Sequence, residues 1–125
     1  MPTVLIVDDY PAVRKTLRSL LEKLGSVVCI EAINGRDAIA KTEASSPDLI
    51  ILDLGMPGMN GFETATVLQK TKPQVPLLMF TSHDTREVEP QAASVGIRAV
   101  FSKCTGINAL LARVSELLNP SHTLV

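Results

Sequence analysis

Short unbroken apolar runs alternate along this chain with stretches whose apolar residues recur every three to four positions. No other feature limits the fold as much. An unbroken run of four to eight apolar residues suits a strand buried on both faces, whereas 3.6-residue spacing suits a helix with one covered stripe. The runs are TVLIV (3–7), VVCIEA (27–32), DLIILD (48–53), VPLLMFT (75–81) and RAVFS (98–102). The helical stretches are PAVRKTLRSLLEKLG (11–25), GRDAIAKTEAS (35–45), GFETATVLQKTK (61–72), REVEPQAASVG (86–96) and GINALLARVSELL (106–118). In the first helix Val13, Leu17, Leu20, Leu21 and Leu24 fall on one face, with Pro11 suited to its first turn and Gly25 to its stop. In the last, Ile107, Leu110, Leu111, Val114 and Leu117 do the same. Ala38 and Ile39, with Thr42 or Glu43, make a weaker stripe. Pro76 stands near a strand start, where a missing N–H is tolerated. Pro90 interrupts the fourth helix, which is expected to begin near Glu89 or to be distorted there. Strands without polar faces, alternating with helices, predict an α/β protein whose parallel sheet is covered on both sides.

The length suits one domain over 1–125, with its core in 3–118 and a tail, NPSHTLV, from 119 to 125 that includes His122. An apolar content of 46% supports a packed core rather than disorder. The net charge of −1 gives no reason to expect direct contact with nucleic acid, and Arg14, Lys15, Arg18 and Lys23 read as a solvated helix face. No apolar run nears the roughly 18 residues of a membrane span, and no secretory leader is visible, so a cytoplasmic location is expected. Cys29 and Cys104 lack metal-ligand spacing, and Cys29 reads as a buried structural thiol. Met56, Met59 and Met79 read as packing groups.

The strand ends carry the chemistry. In an open parallel sheet, ligands bind beyond the carboxyl ends of the strands. Asp8 and Asp9 follow the first run, Asp53 ends the third, Thr81 and Ser82 end the fourth, and Lys103 follows the fifth. Taken singly these residues are unexceptional: helix N-terminal acids, a turn carboxylate, a helix cap and a surface lysine. Together they place three carboxylates, a hydroxyl and an ammonium at one edge. Carboxylates held close repel one another unless a cation joins them, and a hard divalent ion such as Mg²⁺ suits oxygen ligands. The turn-rich loop after Asp53, with Gly55, Pro57, Gly58, Asn60 and Gly61, can add a backbone carbonyl. Thr81 and Lys103 suit a phosphoryl group. A metal, an oxyanion clamp and a carboxylate nucleophile form a phosphoryl-transfer site, with Asp53 attacking and an aspartyl phosphate as product.

The segments LIVDD, LIILDLGMPGMNG, FTS and FSK, in that order and each at a strand end, resemble the response-regulator receiver domain of the CheY-like superfamily. The resemblance implies a doubly wound five-stranded parallel sheet of order 2-1-3-4-5, a flavodoxin-like (βα)5 three-layer sandwich. It implies that Asp53 accepts a phosphoryl group from a sensor histidine kinase or phosphotransfer protein. Asp9, Asp53 and the Gly55 main-chain carbonyl would ligate Mg²⁺ or Mn²⁺, with Asp8 acting through water. Thr81 would hydrogen-bond the phosphoryl group and Lys103 would pair with it. Such a domain assists its own phosphorylation and dephosphorylation and is not otherwise an enzyme. The further partners implied are an effector domain or output protein and, on phosphorylation, a second copy. QKTKPQVPLLMFTSHD and SKCTGINALLARVSELL are similar to receivers of the NarL/FixJ type, which usually precede a helix-turn-helix domain.

Departures from the family pattern are informative. Val100 stands three before the lysine, where the family commonly has Tyr or Phe, and Phe101 is expected on the opposite face. Cys104 replaces a common Pro, so a trans bond is expected there. Gly55 and His83 occupy two positions that influence dephosphorylation in the family. The readout surface is expected near residues 86–118, although NarL-like relatives use the first and last helices. Rival readings are weaker. A flavodoxin-like cofactor binder needs a phosphate loop where DDYP stands, and a haloacid-dehalogenase-type phosphatase needs an Asp where Gly55 stands. A phosphorylation-independent interaction scaffold on the same fold is kept alive by Val100.

Overall fold

A computed structural model describes residues 1–119, so the expected tail beyond Asn119, with His122, lies outside the described residues. The elements are β1 (Thr3–Val7), α1 (Pro11–Lys23), β2 (Val28–Ala32), α2 (Gly35–Ser45), β3 (Leu49–Leu52), α3 (Gly61–Thr71), β4 (Leu77–Thr81), α4 (Thr85–Ser94), β5 (Ile97–Ser102) and α5 (Ile107–Leu118). All strand pairs are parallel, in the order β2-β1-β3-β4-β5, which is the doubly wound arrangement the motifs imply. The order of winding reverses between β1 and β3, and such a switch point is where these sheets bind ligands.

Side-chain alternation divides the strands between two cores. Leu5, Val7, Ile50, Leu52, Leu77 and Met79 pack with Ala38 of α2, Ala65 and Leu68 of α3 and Val88 and Ala92 of α4. Val4, Ile6, Leu49, Ile51, Leu78 and Phe80 pack with Leu17 and Leu21 of α1 and Leu110 and Val114 of α5. Each fully buried Leu or Ile contributes about 1.5–3 kcal/mol, which is why the strands read as continuous apolar runs. Leu24, assigned to the α1 stripe by spacing, lies just beyond the helix and is exposed, because Gly25 with φ +82° has already turned the chain.

Local chemistry sets the helix starts. Asn34 accepts from Asp37 N at 2.8 Å, and Asn60 and Glu63 form a reciprocal capping box. Asp84 accepts from Arg86 N at 3.0 Å and starts α4 five residues before Pro90. The helix therefore runs from Thr85 through Pro90, which overturns the first of the two expectations, a start near Glu89. Pro90 removes only one bond, to the carbonyl of Arg86 in the exposed first turn. Pro76 stays outside β4, and its carbonyl accepts from Ile50 N at 3.0 Å.

The outer edge of β2 is closed by side chains. Val28 and Ala32 bond inward to the β1 segment, which leaves the Cys29 and Glu31 carbonyls facing away from the sheet. Arg18 of α1 donates to Cys29 O, and Lys41 of α2 donates to Glu31 O at 2.6 Å.

Candidate functional site

The strand register carries the expected residues to one place. Val7 lies level with Leu52, and Leu52 with Met79. One step further, Asp53 N donates to Val7 O at 3.0 Å and Asp8 N to Ala32 O at 3.2 Å, so the ladder itself fixes both aspartates. Lys103 N donates to Thr81 O at 2.8 Å, which sets the lysine beside the end of β4. Asp8, Asp53 and Thr81 are only 2%, 5% and 0% exposed. One carboxylate oxygen each from Asp8, Asp9 and Asp53 lie within 4.8 Å of one another. The Lys103 ammonium stands 2.7 Å from Asp8 Oδ2 and 3.4 Å from Asp53 Oδ2, and 5.9 Å above the Tyr10 ring.

Charge is out of balance here. Three carboxylates face one ammonium, a formal −2 in a partly buried pocket. Burial raises the Asp53 pKa above the usual carboxylate value, and the Asp8 charge adds to this; Lys103 opposes both. Burial also works against the Lys103 charge, yet the two carboxylates outweigh it and hold its pKa above the ordinary lysine value. Asp8 Oδ1 accepts from Tyr10 N at 2.9 Å. Asp9 Oδ1 is buried and has no hydrogen-bond partner among the described residues. A buried, unpartnered carboxylate oxygen within reach of two other carboxylates fits a hard divalent cation, which takes oxygen ligands.

The loop after Asp53 explains its turn residues. Gly61 N donates to Leu54 O at 2.8 Å, folding the loop back over the strand end. A Cβ on Gly61 would overlap the Asp53 carbonyl oxygen and come within 2.8 Å of Leu54 Cα and Met79 Cε. Only glycine lets α3 begin this close to the Asp53 backbone. Gly58 has φ +75°. Met56 and Met79 are buried packing groups, and Met59 is half-buried.

Thr81 is not a helix cap, since Asp84 takes that role. Its hydroxyl accepts from His83 N at 3.2 Å and lies 3.1 Å from His83 Nδ1. The His83 ring is exposed, and its Cε1 lies 3.4 Å from where a Cβ on Gly55 would sit. Gly55 and His83, the two positions that influence dephosphorylation in the family, thus lie side by side. Val100 is half-buried on the face toward α4, and Phe101 packs on the opposite face near α5, as alternation requires. The Lys103–Cys104 bond is trans. Cys104 is exposed; Cys29 is buried, and burial raises its thiol pKa.

One participant was not legible. Arg14, expected on a solvated face, is instead only 13% exposed in its side chain and donates from Nη1 to Asp8 O at 2.8 Å. Its Nε bonds Glu31 Oε1 at 2.9 Å, and Arg18 pairs with the other Glu31 oxygen. The expectation fails because it considered α1 alone, and the acid that recruits both arginines lies on β2. Lys15 and Lys23 are exposed, as expected.

A doubly wound α/β fold with an acidic pocket, a threonine and a lysine at its strand ends defines a receiver-type architecture. The response regulator receiver domain family matches residues 4–115, and the chain belongs to that family, a component of two-component signalling. It is 35% identical over 118 residues to a putative transcriptional regulator of Pseudomonas aeruginosa, covering 94% of this chain and 57% of that protein. It is 32% identical over 120 residues to protein PilH of the same organism, covering 94% and 98%. The chain spans about half the length of the first of these relatives and nearly all of the second. Among solved structures, response regulator TrrA of Thermotoga maritima, in complex with Mg²⁺ and BeF, matches with a TM-score of 0.84 at 28% identity, covering 94% of this chain and 99% of that one. Among the described residues, no helix is long and apolar enough to cross a membrane.

Proposed function

We propose that this receiver is a metal-dependent phosphorylation switch whose acceptor is Asp53. The observation that carries the reading is the buried Asp53 carboxylate beside Asp8 and an unpartnered Asp9 Oδ1, with Lys103 reaching both Asp8 and Asp53. Asp9, Asp53 and the Gly55 carbonyl would hold Mg²⁺ or Mn²⁺, with Asp8 acting through water; the Mg²⁺–BeF complex of TrrA supports this by analogy. The bound cation would supply charge neutralisation and alignment of the phosphoryl group. An Asp53 oxygen forms the new O–P bond while the P–N bond of a phosphohistidine donor breaks, and its electron pair leaves with the imidazole nitrogen. Lys103 then pairs with the new phosphoryl oxygens. Thr81 donates its hydroxyl to them, and the β4–α4 loop, whose His83 N it accepts from, rearranges as the charge arrives.

The donor is a sensor histidine kinase or phosphotransfer protein, and the domain is a switch rather than an enzyme acting on other substrates. Similarity to part of a transcriptional regulator supports a NarL/FixJ-type setting with an attached effector, and a phosphorylation-dependent second copy as a further partner. Val100 favours a second reading, a scaffold that binds partners without phosphorylation, because no ring is present to swing inward behind Thr81. Intact mass after incubation with acetyl phosphate and Mg²⁺ separates the two. The switch requires a gain of one phosphoryl group, about 80 Da, in the wild type and none in Asp53→Asn. No gain in either, together with no Mg²⁺ binding, leaves the scaffold.

A further inference from the structure

The carboxylates of the pocket project from a junction with little backbone pairing of its own. Past Asp8 N, held by Ala32 O, the chain turns at once into α1. Asp8 Oδ1 spans the turn by accepting from Tyr10 N at 2.9 Å, and the Arg14 guanidinium holds the Asp8 carbonyl at 2.8 Å. That oxygen belongs to the peptide unit joining Asp8 to Asp9. Holding it fixes the plane of the unit, and so the direction in which the Asp9 side chain leaves the backbone. Asp9 Oδ1 is buried and has no hydrogen-bond partner among the described residues, so its aim follows from the backbone that carries it.

Arg14 is itself held. Glu31 takes Arg14 Nε on one oxygen and Arg18 on the other, and Lys41 holds the Glu31 main-chain carbonyl. The guanidinium thus bridges a β2 carboxylate and the β1–α1 junction while nearly out of solvent. A planar fork suits two acceptors at once in a way that an ammonium does not.

We propose that Arg14, oriented by Glu31, is a positioning residue for the metal-binding carboxylates, setting the Asp8–Asp9 peptide so that Asp9 Oδ1 meets the cation. The inference rests on the metal-dependent reading above. Groups that orient metal ligands typically change affinity by 10–100-fold. The sign is diagnostic. Arg14 is a cation near a cation site, so a purely electrostatic role predicts tighter Mg²⁺ binding when it is removed. A positioning role predicts the reverse.

The test is calorimetric titration with Mg²⁺, on protein shown folded by circular dichroism, for the wild type and for Arg14→Gln, Arg14→Lys, Glu31→Gln, Arg18→Gln and the Arg14→Gln/Glu31→Gln pair. Arg14→Gln is expected to weaken Mg²⁺ binding about tenfold. Glu31→Gln weakens it less, and the pair no more than Arg14→Gln alone, because the two residues act in series. Arg18→Gln breaks an ion pair on the same carboxylate without touching Asp8 and stays within about twofold of wild type. Arg14→Lys keeps the charge but cannot hold both acceptors, so it shows the loss even if the glutamine variant fails to fold. The deficit in phosphorylation by acetyl phosphate closes at saturating Mg²⁺. Wild-type or tighter Mg²⁺ binding in both Arg14 variants overturns the proposal while leaving the metal-dependent reading intact. A wild type that binds no Mg²⁺ sinks both.

Discussion

Gly61→Ala is expected to damage stability and phosphorylation through one contact. The new Cβ overlaps the Asp53 carbonyl oxygen and stands 2.8 Å from Leu54 Cα, both backbone atoms, and 2.8 Å from Met79 Cε. The methionine end can swing aside. The backbone cannot, because Asp53 N is bonded to Val7 O and Gly61 N to Leu54 O. Overpacking of this kind costs about 1–3 kcal/mol, and a few tenths return because alanine restricts the unfolded chain. A net loss of about 2 kcal/mol lowers Tm by roughly 8–10 °C in a domain of this size. The displaced atoms belong to Asp53, the proposed acceptor, and misplacement by about 1 Å can slow a positioned reaction as much as 100-fold. The phosphorylation rate with acetyl phosphate should therefore fall at least tenfold, measured by mass at a temperature where the variant is folded. Gly58→Ala is the control. Its φ of +75° strains an alanine by about 1–2 kcal/mol, yet nothing lies within 4 Å of the new methyl, so the rate should hold. Equal Tm and equal rate for Gly61→Ala and wild type would refute the argument from contact.

Three more outcomes follow from the pocket. Asp53→Asn should stabilise the metal-free protein by about 1–2 kcal/mol near neutral pH, because it removes a buried charge that Lys103 only partly offsets. The raised Asp53 pKa means its favourable contribution is complete below the unfolded value of 3.8 and lost as pH rises through the folded one. The Tm gap between variant and wild type should therefore open with rising pH, and a gap that closes instead contradicts the assignment. Lys103→Met should cost about 2 kcal/mol in metal-free melts, since it strips Asp8 and Asp53 of their counter-ion, and millimolar Mg²⁺ should restore more stability to it than to wild type. His83→Ala frees the Thr81 hydroxyl from its ring contact and should tighten binding of beryllium fluoride with Mg²⁺ about threefold; weaker binding would mean that His83 assists Thr81 rather than competing for it.

The ends of β1, β3 and β4 were legible because burial on both faces leaves a strand no polar residue until it emerges, so Asp8, Asp53 and Thr81 stood out at the first break in each run. The sheet order came from the resemblance, since apolar runs alone do not say which strands pair. Pro90 misled because its effect depends on where the helix starts, and that was decided by Asp84, six residues earlier. Arg14 was invisible because the residue that orders it, Glu31, is 17 positions away on another element. Thr81 could be placed at the edge from the sequence, but the partner of its hydroxyl follows from the path of the loop after it. Pairings across elements of this kind leave no periodic trace.

The closed edge of β2 bears on how this domain behaves in crowded solution. A bare outer strand offers carbonyls and amides to any extended segment that drifts by, and Val28 and Ile33, 41% and 53% exposed, would reward such an encounter with apolar contact. Arg18 and Lys41 approach from helices on opposite faces of the sheet and occupy the Cys29 and Glu31 carbonyls. Both carry charge that resists a second copy bearing the same pair. Strand addition along this edge is thus opposed by two long charged side chains anchored on helices that cover the two faces of the sheet.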